Sequence, residues 1–404
     1  MVGPPLLDCE DSAWFRDQPE AARGAAAALG RRIGLGEHRT AQLVLAVAEL
    51  STNVAKHAAD SSMLLRVLRN RTTAGVEVLV LDSGPGMVDV PAALRDGVSS
   101  VGTLGIGLGA VQRLADAFDV HSLPGVGTVQ LARFWPHPLD PSLAAEAVVS
   151  GVTRPMGGED VCGDAWAARV DTGGRTTSAP GEGGAPAAGT RIVPAWSKHP
   201  RAGTSGEGDH RAAPPPRRSP EPDPGGRSRL LRGAAPGAGD GVLVMSCDGL
   251  GHGPMAAIAS QSAVHAFRSG TARTPEQAME EVHRALRGTR GAAVAIARLE
   301  TDGRVLFCGI GNISACVLTT GSRANLLSHP GIVGHQMRQL RTYEARLPAH
   351  GALVMHSDGL SERWKAGDLA TLLHHPPAVI AAGLLRLAGT RRDDASVVAF
   401  KGAW

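Results

Sequence analysis

Two nearly identical phrases, VLVMSCDGL at 242–250 and ALVMHSDGL at 352–360, each carry an apolar, β-prone run to an Asp-Gly pair. The run predicts a buried strand, and the glycine lets the backbone turn just past the carboxylate. Asp248 and Asp358 are therefore expected at strand ends, where a rigid sheet can aim both at one point. Gly163-Asp164 upstream and Arg392-Asp393-Asp394 downstream, the latter leading into a strand at 396–400, add two more acidic turns. A single Asp-Gly pair usually marks only a turn. Four carboxylates beside strands, in this order, suit a site for Mg²⁺ or Mn²⁺, hard cations that prefer oxygen ligands.

A second constellation lies near the N-terminus. In TAQLVLAVAELSTNVAKHA (40–58), Leu43, Val47, Leu50, Val54 and Ala58 recur at helical spacing and form an apolar face. Glu49, Asn53 and His57 step by four beside it, a polar stripe on the same helix. Strands are expected at 62–69 and 76–81, the second ending in LDSGPGM, where Gly84 and Gly86 let the backbone approach a flat ligand beside Asp82. GTLGIGLGAVQRLADAF follows, with Gly102, Gly105, Gly107 and Gly109 feeding a helix expected from about Ala110. A glycine-rich loop at a helix N-terminus offers free N–H groups and a positive dipole end to phosphates. Gly-Val-Gly-Thr at 125–128 opens a last strand. By itself each piece is weak: Glu49 reads as a solvated helix residue, His57 is given no role, and glycine loops often bind nothing. Their order is informative.

The elements that must position these groups fall into two patterned regions. At 404 residues the chain is long for a single core. Residues 10–135 alternate helical and strand patterns, Pro136-His137-Pro138 opens a linker over 136–146, and a second region runs from 147 to 404. Within it, 171–238 turns to Gly, Pro, Ala, Arg and Ser, a composition that cannot bury enough apolar surface to fold and is expected to be a disordered insertion. Reading it instead as a linker between domains would strand Asp164 away from Asp248 and Asp358. The net charge of +3 and an aromatic content of 3% give nucleic-acid binding little support. Five scattered cysteines lack paired metal-ligand spacing and fit reduced thiols in the cytoplasm. Neither a signal peptide nor an apolar run of about 18 residues is evident, so no membrane association is expected.

From ELSTNVAKHA through SGPGM, LGIGLGAVQRLADAFDV and GVGT, residues 15–135 resemble the GHKL (Bergerat-fold) ATPases, and among them the anti-sigma-factor serine kinases of the RsbT type. The resemblance implies an α/β sandwich that binds ATP with Mg²⁺. It assigns Asn53 to Mg²⁺ on the triphosphate, Asp82 to the adenine amino group and Thr128 to the support of Asp82. Gly84 and Gly86 would wall the base pocket, and Gly105, Gly107 and Gly109 would form the phosphate lid. Glu49, one helical turn from Asn53, would be the general base that deprotonates an acceptor serine. No phospho-accepting histidine box precedes these motifs, so a serine of a partner protein is the expected acceptor.

GGEDVCGDAW, VLVMSCDGLGHGPMAA, FCGIGNISACVL, PGIVGHQ, ALVMHSDGLSERW and RRDDASVVAF resemble, in order, the PPM-type serine/threonine phosphatases of the SpoIIE/RsbX branch. The implied fold is an α-β-β-α sandwich, giving an α+β chain overall. Asp248 would bridge two Mg²⁺ or Mn²⁺ ions with the Gly249 carbonyl on one of them, and Asp164, Asp358 and Asp393 would complete the pair. The adjacent Asp394 leaves the choice at 393–394 open. His252 reads either as a leaving-group acid or as a turn residue.

Together the resemblances imply a bifunctional partner-switching regulator. It would phosphorylate, and dephosphorylate, serines of STAS-domain antagonist proteins, with ATP, Mg²⁺ and Mn²⁺ as cofactors and pairing of two chains through the kinase domain as an expectation. The alternative is a phosphatase joined to a non-catalytic, ATP-gated module that sequesters a partner.

Overall fold

The computed structural model describes residues 6–16, 18–57, 60–70, 72–95, 107–140, 143, 146–171, 229–230, 241–337 and 339–402. The segment expected to be a disordered insertion lies outside them, apart from its first residue and 229–230, and so does Gly105. Both patterned halves of the chain fall within one compact unit.

The N-terminal half opens with β1 (Asp8–Phe15), α1 (Pro19–Arg32) and α2 (Glu37–His57). It continues through β2 (Ser62–Arg69), β3 (Ala74–Asp82), α3 (Val90–Ala93), α4 (Gly107–Leu114), β4 (Ala117–Leu123) and β5 (Gly127–Phe134). The strands form an antiparallel sheet in the order β1-β2-β3-β5-β4. Successive side chains on a strand point to opposite faces. Met63, Leu65, Val67, Val76, Val78 and Val80 meet α1 and α2 on one face, whereas Leu64, Leu79, Leu81, Val129 and Leu131 face the other way. Every residue of β3 and β5 is buried, so this sheet is covered on both sides.

The C-terminal half builds two sheets. Its strands are β6 (Val149–Arg154), β7 (Asp164–Asp171), β8 (Arg229–Leu230), β9 (Gly241–Gly249), β10 (Ala292–Leu299), β11 (Arg304–Ile310), β12 (Ser314–Leu318), β13 (Arg323–Leu326), β14 (Ser328–His329), β15 (Tyr343–Arg346), β16 (Ala352–His356) and β17 (Ala395–Lys401). The helices are α5 (Pro254–Ser269), α6 (Pro275–Ala285) and α7 (Pro377–Ala388). One sheet runs β7-β9-β10-β11-β15-β8, with β14 beside β11, and the other runs β13-β12-β16-β17-β6. Val149, Ala295, Phe307, Met355 and Phe400 fill the space between them. Helices α5 and α6 cover the outside of the first sheet, through Phe267, Met279 and Val282. Helix α7 covers the outside of the second, completing the α-β-β-α arrangement.

Helix α7, PAVIAAGLLRLA, is apolar all round apart from Arg386, and every residue from Pro377 to Leu385 is buried. A helix without a polar face must be covered on all sides. One side packs on β6 and β17; the other receives Leu79, Leu81, Val129 and Leu131 of the N-terminal sheet. Polar links reinforce this contact. Trp14 Nε1 donates to Thr153 O at 2.8 Å, and Arg66 reaches Gly151 O and Ser150 Oγ across the boundary. Arg66, Glu77 and Arg133 form a buried ion cluster behind it.

Candidate functional site

Strands β7 and β9 are antiparallel neighbours, and their register sets Asp164 directly opposite Asp248. Residues 172–240 connect these two neighbouring strands. The Asp358 turn follows β16, and Asp393 precedes β17, its partner in the second sheet. The two turns are locked together: Thr390 N donates to Gly359 O at 2.8 Å, Ser396 N donates to Ser357 Oγ at 2.9 Å, and a Cβ on Gly359 would overlap Asp394 O. On the other sheet Gly249 N donates to Gly163 O at 3.2 Å, and a Cβ at 249 would strike Ala256 O. The glycines of these turns are thus required by close backbone approach.

Asp248 feels the charge of each of the other three acids. Burial first, then the charges of Asp164 and Asp358, with Asp393 adding to them, push the Asp248 carboxyl well above the usual carboxylate range. Burial also raises Asp164, with the Ser357 hydroxyl opposing and Asp394 reinforcing the shift. Asp358 is raised by burial and by Asp393, while Asn312 Nδ2 donates to its Oδ2 at 2.6 Å. Asp164 is 3% exposed, and its carboxylate oxygens make no hydrogen bond of ordinary geometry, the Ser357 and Ser396 hydroxyls being only near neighbours. A buried, unpartnered carboxylate among like charges is costly unless a cation neutralises it. Among the described residues no three His, Cys, Asp or Glu side chains already stand together in a metal-holding group, so the fit rests on the buried like charges of Asp164 and Asp248. On this test the residues fit divalent metal.

The adjacent acids at 393–394 differ in employment. Asp394 accepts from Met156 N and Gly163 N, each at 2.8 Å, and so clamps the two sheets together. Asp393 accepts only from the Asp394 N–H, at 2.9 Å, and acts on both Asp248 and Asp358. This division favours Asp393 as the metal-facing acid. His252 is exposed and pairs with Glu159 at 3.3 Å on the rim. Arg290, also exposed, lies beside Gly251, its Nη1 3.1 Å from where a Cβ at 251 would sit.

In the N-terminal half, Glu49 and Asn53 are half-buried one turn apart on α2, against which α4 packs. Asp82 ends β3, pairs in register with Thr128 and is 7% exposed. Its Oδ1 accepts from Gly84 N at 2.9 Å. Burial raises its proton affinity, opposed by the Gly84 N–H, Arg386 and Thr128. The pocket wall is interlocked: Gly125 N donates to Pro85 O at 2.7 Å, and Cβ atoms at Gly86 and Gly127 would collide with Leu123 O and Asp82 O. Both glycines have positive φ, +67° and +126°. This glycine-lined cradle beside a buried acceptor fits a flat base. Gly107 and Gly109 lie in the first turn of α4, whereas Gly105 falls outside the described residues. A separate groove of about 870 Å³ between α1 and α2 contains none of these residues.

Three neighbours of the sites were not singled out by the sequence reading. Asn312 stands in FCGIGNISACVL, a phrase that carried the family resemblance but gave no hint of its reach to Asp358. Arg290 and Arg386 carry no local sequence signal.

The fold and the two residue sets define an ATPase-type α/β sandwich fused to a PPM-type phosphatase sandwich. Comparison with known proteins agrees. Residues 16–133 match the histidine kinase-like ATPase domain family, and residues 238–402 match the stage II sporulation protein E (SpoIIE) family. The chain is 32% identical over 115 residues to the serine/threonine-protein kinase RsbT of Bacillus subtilis (strain 168), covering 28% of this chain and 86% of that protein. It belongs, through its N-terminal domain, to the RsbT-type ATPase family, and it carries a SpoIIE-type phosphatase domain. A structure of RsbX in complex with magnesium is 14% identical, over 62% of this chain and 92% of that one, at a TM-score of 0.40. The PP2C phosphatase domain and regulatory fragment of SpoIIE from Bacillus subtilis is 11% identical over 95% of each chain, at 0.39. No helix among the described residues is long and apolar enough to cross a membrane.

Proposed function

We propose that this chain is a bifunctional partner-switching enzyme, one half transferring phosphate from ATP to a serine of a STAS-domain antagonist and the other hydrolysing phosphoserine on that protein or a paralogue. The carrying observation is the facing pair Asp164 and Asp248, with Asp358 and Asp393 turned toward it from the opposite sheet.

In the phosphatase half, Asp164, Asp248, Asp358, Asp393 and the Gly249 carbonyl would hold two Mg²⁺ or Mn²⁺ ions. When bound, such ions lower the pKa of water and neutralise the phosphate it meets. Asn312 orients Asp358 for this task, and Asp394 fixes the distance between the two turns. Hydrolysis forms a bond from water oxygen to phosphorus and breaks the bond from phosphorus to the serine oxygen, which takes up a proton. Arg290, exposed beside Gly251, would meet the incoming phosphoprotein.

In the kinase half, Asp82 accepts the adenine amino group with Thr128 and the Gly84 N–H fixing its carboxylate, and Gly84 and Gly86 line the base. Asn53 would hold Mg²⁺ on the triphosphate, and Gly105, Gly107 and Gly109 would cover the phosphates. Glu49 takes the proton from the acceptor serine as its oxygen bonds the γ-phosphorus and the bond to ADP breaks. The RsbT likeness supports a protein-serine acceptor.

The test is Mn²⁺-dependent phosphate release from a phosphoserine STAS protein by the purified chain and by Asp248→Asn. Release by the former and none by the latter is expected. Equal release by both would place the chemistry elsewhere, and none by either would remove the phosphatase reading.

A further inference from the structure

Arg386 is the only charged residue of α7, and it sits on the side of that helix that meets the N-terminal domain. Its Nη1 donates to Val126 O at 2.7 Å, in the tight turn between β4 and β5. That turn is the outer wall of the adenine cradle. Gly127 lies against Asp82 O, Leu123 O lies against Gly86, and Gly125 N bonds Pro85 O. Arg386 and Asp82 are also close enough to alter each other's proton affinity, as opposite charges do. An Asp82 that stays ionised accepts a stronger, charge-assisted hydrogen bond. Arg386 is half-buried near the C-terminal end of this otherwise apolar helix, where its guanidinium needs polar partners. Seven residues beyond it the same chain reaches Asp393, so one segment touches both candidate sites.

We propose that Arg386, supplied by the phosphatase domain, is a positioning residue of the adenine pocket, holding the 123–127 turn against Asp82 and setting adenine affinity and selectivity. The ATP pocket of this chain is then complete only in the fused protein. The inference rests on the reading of Asp82 as the adenine acceptor.

The test measures ADP and GDP binding, in Mg²⁺, to the full chain and to Arg386→Gln, Arg386→Lys and Asp82→Asn, with unfolding midpoints recorded for each. Arg386→Gln is expected to weaken ADP roughly tenfold and to narrow the ADP-to-GDP preference. Arg386→Lys, which keeps the charge and a donor, is expected to restore both to within about threefold of the parent. Parental ADP affinity and preference in Arg386→Gln, with binding lost in Asp82→Asn, would overturn the role of Arg386 alone. Equal loss in the Gln and Lys variants would also overturn it. Undiminished ADP binding by Asp82→Asn would instead overturn the pocket reading beneath it.

Discussion

Asn312 and Glu77 show what single side chains do on either side of the molecule. Asn312, exposed on the turn before β12, holds one oxygen of Asp358 at 2.6 Å, and Asp358 is in turn within electrostatic reach of Asp393. Outer partners of metal ligands typically contribute ten- to a hundredfold in affinity. Asn312→Ala is therefore expected to raise the Mn²⁺ concentration for half-maximal phosphatase activity by about tenfold or more, with little change in the unfolding midpoint. An unchanged Mn²⁺ requirement would deny it that role. Glu77 has a structural task. Burial would raise its carboxyl, but Arg66 and Arg133 outweigh burial and hold it below the usual range. Removing one member of a buried ion cluster leaves uncompensated charge. Glu77→Ala is predicted to cost about 3–5 kcal/mol in urea unfolding; a loss under about 1 kcal/mol would mean that the cluster is no net support.

At the scale of elements, the turns between strands carry the sites, and their glycines are the vulnerable points. A methyl group at 86 meets Leu123 O and must also adopt a positive φ. Gly86→Ala should abolish adenine-nucleotide binding while leaving metal-dependent phosphatase activity within about twofold, measured on the same preparation. Parallel loss of both would show that the damage is global. Much of this was legible in the chain. The apolar runs ending at Asp248 and Asp358 announced their strands, and the expected helix over 40–58 and strand over 62–69 correspond to α2 and β2. The start expected near Ala110 falls at Gly107, because glycines mask the N-terminal turn of α4 by their poor helix propensity. The packing of α7 between two sheets was not legible, since an all-apolar helix shows that it is buried but not by what. The run VEVLVL of β3 held the matching signal: a strand without alternation is covered on both faces. Asn312 and Arg386 act across 46 and 260 positions, separations at which no local pattern speaks.

Across the whole molecule, the N-terminal helices, N-terminal sheet, α7, second sheet, first sheet and α5–α6 stack in sequence, so the two halves share a core. A titratable cluster borders it. His121 on β4 pairs through Nε2 with Thr371 Oγ1 at 2.9 Å, and His375 pairs with Asp119 at 2.7 Å. Burial, then His375 and Arg386, lower His121 to about 4, with Asp119 opposing. An unfolded imidazole titrates near 6.5. The neutral ring's contribution is therefore fully present above about pH 6.5 and is lost as pH falls toward about 4. His121→Gln should flatten the fall in unfolding midpoint between about pH 7 and pH 5 relative to the parent; identical slopes would acquit His121. The proposed function gives one chain two opposed activities on the same class of protein. The most direct measurement is the intact mass of a STAS protein incubated with ATP, Mg²⁺ and Mn²⁺ and one of three chains. Asp248→Asn should drive the STAS protein to the phosphorylated form, Glu49→Gln should drive a pre-phosphorylated sample to the unmodified form, and the parent should settle between them. Failure of Asp248→Asn to add phosphate, with Glu49→Gln indistinguishable from the parent, would contradict the claim and leave only the phosphatase.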